Sequence, residues 1–131
     1  MPVDHVGIAV RQLEEAIPAW EGALGGTASA PELVPNQGVR VAFLETGETH
    51  LEFLEPTSAD SAVARFLDRR GPGMHHVALA VPSVDRKLAE LKGRGYVLID
   101  EVGRLGARGR RVGFAHPTAF GGVLVEFVER R

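Results

Sequence analysis

"DHVGIAV", residues 4–10, returns as "HHVALAV" at residues 75–81. Overlaying the two sets His5 on His76, Val6 on Val77, Ala9 on Ala80 and Val10 on Val81, each pair 71 residues apart. The following segments recur too. "RQLEEAIPAWEGALGG" (11–26) corresponds to "PSVDRKLAELKGRGY" (82–96). Leu13, Ile17 and Trp20 in the first, and Val84, Leu88 and Leu91 in the second, fall at helical spacing and give each segment one apolar stripe. "VRVAFLE" (39–45) matches "RRVGFAH" (110–116) at the same separation of 71, and "LEFLE" (51–55) matches "VEFVE" (125–129) at 74. The second half therefore carries three more residues in its last turn, "PTAFGGVL" (117–124) against "TGETH" (46–50). Turns change length easily while strands keep register.

Each half thus reads strand, helix, then further strands, with "ASAPELVPNQG" and "DEVGRLGARG" each able to hold one more short strand. This predicts an α+β chain of two tandem βαβββ modules, about 1–56 and about 73–131, forming one domain. Between them "SADSAVARFLDRRGPG" reads as a linking helix over about 59–71, started by Asp60 or Ser61 and stopped at Gly71-Pro72. Pro18 falls inside the first predicted helix, where it removes a backbone donor, so that helix is expected to start late or to kink.

Strand alternation assigns faces. His5 shares a face with Gly7 and Ala9, and His76 shares one with Ala78 and Ala80. The opposite faces carry Val6, Ile8 and Val10, or Val77, Leu79 and Val81, which suits them to packing under helices. The histidine faces are lined by small residues and leave room for a ligand. His76 is then the inward histidine of "GMHHVALAV", and Asp4 and His75 belong to the other layer. Glu52 and Glu126 are a second repeated pair. Imidazole and carboxylate repeated on small-lined strands form a donor set for one divalent ion such as zinc, cobalt, nickel, iron or manganese. Glu48, Glu55 and Glu129 read as solvated.

The bulk numbers bound the partners. A formal net charge of -2 argues against nucleic acid. With no cysteine, disulfides, thiolate metal sites and cysteine nucleophiles are excluded. No stretch reads as a signal peptide or a membrane span, so a cytoplasmic protein is expected.

These modules resemble the vicinal oxygen chelate superfamily, and within it the methylmalonyl-CoA epimerases. The likeness rests on "DHVGIAV", "QGVRVAFLETGETHLEFLEP", "SAVARFLDRRGPGMHHVALAV" and "GARGRRVGFAHPTAFGGVLVEF", and covers essentially the whole chain. The resemblance implies a glyoxalase-like mixed sheet curling around a metal cleft, a homodimer, and ligation of one ion by His5, Glu52, His76 and Glu126. Cobalt is the first expectation, with zinc, nickel or manganese as alternatives. It further implies epimerisation of methylmalonyl-CoA through a metal-stabilised enolate. Some epimerases carry a glutamate thought to be a base where this chain has Val41. The base then comes from Glu45 on the same strand face, from Glu126, or from a metal-bound water. Of the arginines in "GRLGARGRRVGF", Arg104, Arg108, Arg110 and Arg111, Arg108 is the one placed to meet coenzyme A phosphates. His116 either contacts substrate or stabilises its turn. Glyoxalase I uses the same ligand set, but its Asp-Pro-Asp-Gly-like stretch before the last strand is replaced here by "HPTAFGG". A ring-cleaving dioxygenase needs iron on two histidines and one carboxylate, and a metal-free antibiotic-binding protein of the same fold lacks the ligands.

Overall fold

Val6 and Ile8 alternate with His5, Gly7 and Ala9 along strand β1 (Val3–Ala9) of the computed structural model, which describes residues 1–130. Arg131, the end of the expected second module, lies outside the described residues. Contacts gather the chain into two units. One is His5–His75; the other joins Met1–Asp4 to the chain from His76 onward. The linking helix thus goes with the first module and the first four residues with the second. Asp4 is the reason at the amino end. It is 1% exposed and receives both guanidinium nitrogens of Arg110, at 2.7 and 3.1 Å. Pro2 accepts from the Ala80 backbone N–H beside it.

In the unit His5–His75 the strand order is β2-β3-β4-β1, with β2 (Glu32–Val34), β3 (Val39–Glu45) and β4 (His50–Pro56). The β2–β3 and β3–β4 pairs are antiparallel and β4 runs parallel to β1. Helices α1 (Leu13–Leu24) and α2 (Ala62–Arg70) belong here. Ile8, Val10, Leu13, Ala42, Leu44 and Phe53 form the core under α1. Burying a side chain such as Leu13 stabilises the unit by roughly 1.5–3 kcal/mol.

The other unit repeats the order as β5-β8-β7-β6, from β5 (Gly73–Val81), β6 (Arg104–Leu105), β7 (Arg111–Ala115) and β8 (Val125–Glu129). β5 and β8 are parallel, while β7 pairs antiparallel with both β8 and β6. Helix α3 (Val84–Gly93) puts Val84, Leu88 and Leu91 on Val81, Ala115, Val125 and Phe127. Gly113 permits that approach, since a Cβ there would stand 2.6 Å from the Leu88 Cδ1. The Val/Ile/Leu faces of β1 and β5 therefore pack under helices, as alternation requires.

The linking helix is capped by Ser61, whose hydroxyl accepts from the Ala64 N–H at 3.1 Å. It stops at Gly71, with a φ of 74°. Two expectations are corrected. Helix α1 does not wait for Pro18: it begins at Leu13 and runs through the proline. The start is held by the Glu55 carboxylate, which accepts from the Leu13 N–H at 2.8 Å. Pro18 is exposed, as is Glu14, whose carbonyl loses its helical donor to the proline ring, so water can satisfy it. Glu55 and Glu129 are also not merely solvated. Glu129 repeats the device, accepting from the Val84 N–H at the start of α3 at 3.0 Å. Glu48 stays exposed as expected.

Candidate metal centre

Within the unit His5–His75, β1 and β4 lie side by side with His5 opposite His50 and Gly7 opposite Glu52. His5 and Glu52 share a face one residue pair apart, and the glycine leaves the space between them open. His5 Nε2 lies 3.2 Å from Glu52 Oε1, with the residues 4% and 6% exposed. In the other unit Ala78 stands opposite Glu126, and His76 Nε2 lies 3.1 Å from Glu126 Oε1, both residues 5% exposed. The repeat thus produces the same pair twice. Each of the four residues offers one ligand atom.

The spacing fits joint ligation. Two donors about 2.1 Å from one ion, at angles between octahedral and tetrahedral, stand about 3.0–3.4 Å apart. Without a metal, the same spacing would be a hydrogen bond from a neutral imidazole Nε2–H to a buried carboxylate, or an ion pair with two buried charges per unit, which is costly unless every remaining polar atom is satisfied.

Two phenyl rings complete the repeat, and the sequence reading passed over them. Phe43 stands opposite Glu52 and Phe114 opposite Glu126. Each ring meets its imidazole edge-on, His5–Phe43 at 6.2 Å and 86°, His76–Phe114 at 5.7 Å and 84°. Their separation of 71 within the matched segments was the signal that could have found them. His50 was missed too, because Leu124 stands at the matching place in the second module. It is buried, stacks on His5 at 5.5 Å and 18°, and meets Phe43 edge-on at 5.2 Å.

The remaining named residues divide clearly. Glu45 lies opposite His50 at the end of β3, on the face of Phe43 and Glu52, with Oε2 3.7 Å from His50 Nδ1. Its side chain is 62% exposed, so solvent and solutes reach it. Val41, on the same face, is 1% exposed and apolar. His75 points to the other layer, edge-on to Phe66 at 5.0 Å. Arg104 pairs with Asp100 and lies over Phe114, Arg110 is held by Asp4, and Arg111 by Asp85. Arg108 sits in the loop before β7 with a φ of 60°, a left-handed conformation that non-glycine residues rarely adopt. His116 caps the turn Pro117–Phe120.

Comparison with known proteins places residues 4–114 in the Glyoxalase/Bleomycin resistance protein/Dioxygenase superfamily. The chain is 38% identical over 125 residues to the mitochondrial methylmalonyl-CoA epimerase of Bos taurus, covering 95% of this chain and 71% of that protein. Among solved structures, the methylmalonyl-CoA epimerase of Mycobacterium tuberculosis superposes with a TM-score of 0.92 at 37% identity, covering 98% of this chain and 87% of the other. A variant of the Streptomyces coelicolor enzyme, in complex with 2-nitronate-propionyl-CoA, superposes with a TM-score of 0.94 at 34% identity, covering 98% and 94%.

Proposed function

Because the chain belongs to the methylmalonyl-CoA epimerase family of that superfamily, we propose that it interconverts the (R) and (S) forms of methylmalonyl-CoA with the help of one divalent ion. The observation that carries this is the doubled His–Glu pair at 3.2 and 3.1 Å. His5, Glu52, His76 and Glu126 together hold the ion, which is cobalt in this proposal, with zinc, nickel and manganese accepted by the same donors. When bound, the ion supplies Lewis-acid charge that offsets the negative charge developing on the substrate's thioester oxygen.

The chain's own groups move the proton. The Glu45 carboxylate takes it from the carbon between thioester and carboxylate, and the C–H electron pair passes to the thioester oxygen. Delivery of a proton to the opposite face of that planar carbon, and return of the electron pair, inverts the centre. Glu126 is the second candidate for that delivery. Val41, between Val39 and Phe43 on the face that ends in Glu45, is apolar, so no second carboxylate of β3 competes there with Glu45. Arg108, presented by its loop, meets the phosphates of coenzyme A, and His116 meets the acyl end.

A homodimer in the cytoplasm belongs to the same proposal. Met1, Val3 and Met74 are exposed apolar side chains of the kind a second copy can cover. Light scattering at micromolar concentration then gives twice the mass of one chain; the mass of one chain contradicts the dimer.

Glyoxalase I chemistry and epimerisation separate in one assay. Incubated in heavy water with methylmalonyl-CoA, the protein incorporates deuterium at the carbon between the two carbonyls. A protein that exchanges nothing there, yet converts a glutathione hemithioacetal, sinks the epimerase reading.

A further inference from the structure

His116 directly follows β7, at the position that Glu45 holds at the end of β3 in the other module, 71 residues earlier. Its backbone, with φ −67° and ψ 140°, is still extended. Alternation carried one residue past β7 assigns its side chain to the face of Val112 and Phe114, which is the face of Glu126. The ring is wired on one side. Nδ1 accepts from the Thr118 backbone N–H at 3.1 Å and lies 2.9 Å from Thr118 Oγ1.

A backbone amide only donates, so Nδ1 carries the lone pair and the neutral ring keeps its proton on Nε2. To act as a base at Nε2, the neutral ring would need its proton on Nδ1, pointed at the Thr118 N–H. The cap and the base role exclude each other. With Nδ1 taken by the cap, His116 offers an Nε2–H donor.

We infer that His116 receives the free carboxylate of the acyl-CoA substrate through Nε2–H. The inference rests on the epimerase reading. The matching position in the first module is a carboxylate, Glu45, which repels an anion and is left for proton transfer. In the module of His116 the Arg104 guanidinium, paired with Asp100, lies 5.3 Å from the Phe114 ring centre.

Two substitutions separate the donor from the cap. Asparagine places its amide near Nδ1 and is itself a preferred cap, so His116→Asn keeps the turn and removes the donor. Glutamine reaches the place of Nε2, so His116→Gln keeps a donor and loses the cap. The readout is the affinity for malonyl-CoA relative to acetyl-CoA, which lacks the carboxylate and binds whether or not the protein turns over. Wild type prefers malonyl-CoA. In His116→Asn that preference shrinks by about 10- to 100-fold, the range for a hydrogen bond to a charged acceptor, while the melting temperature holds. His116→Gln retains the preference and melts earlier. If His116→Asn keeps the full preference, or wild type has none, the inference is overturned while deuterium exchange on methylmalonyl-CoA still stands for the enzyme. If wild type shows the preference but no exchange, the epimerase reading fails instead.

Discussion

A single residue step separates His75 from His76, and the strand sends them to opposite layers. His76 meets Glu126, whereas His75 meets the ring of Phe66. His76→Ala is therefore expected to lose both metal retention and deuterium exchange, and His5→Ala to behave alike. His75→Ala keeps the metal and most of the activity, and loses about 1–2 kcal/mol of stability with its ring contact. Metal content and urea unfolding of the three variants check this; a metal-free His75→Ala beside a healthy His76→Ala would reverse the register. This much was legible from alternation and the repeat. His50 was not, because it breaks the repeat, and its burial follows from facing His5 across β4, a pairing that no local pattern announces.

At the scale of elements, β4 and β8, the strands that carry Glu52 and Glu126, each also start a helix. Glu55 lies three residues after Glu52, and Glu129 three after Glu126, so alternation turns each to the helix face, where it caps α1 or α3. Glu55→Ala and Glu129→Ala should each cost about 1 kcal/mol, as lost caps do, measured by urea unfolding. If both are neutral, the caps are incidental. Their role was hidden in the sequence because a capping carboxylate 42 residues away leaves none of the local signature of an N-cap. The same reason hid the start of α1 at Leu13, which tertiary capping holds ahead of Pro18. Acid should loosen a further tie. The Gly103 backbone N–H, and then Arg111, hold the Asp85 carboxyl below its ordinary value. A depressed folded pKa means a contribution present at neutral pH and lost as pH falls through the lowered value. Asp85→Asn should therefore flatten the dependence of stability on pH in that acid range; an unchanged profile contradicts the tie.

For the whole molecule, the doubled module was readable because strand registers repeat at fixed separations, and the α+β class followed from it. The boundary between the units was not readable, since the buried Asp4–Arg110 pair moves the first residues into the second unit through a contact 106 residues long. The account stands or falls on two His–Glu pairs sharing one ion. Titrating metal-free protein with cobalt, and counting ions bound per chain by elemental analysis after gel filtration, tests that directly. The predicted result is one cobalt per chain, lost altogether when either His5 or His76 is replaced by alanine. Two ions per chain, with one surviving in each single variant, would show each pair binding alone, and none would remove the metal from the mechanism; either contradicts the account.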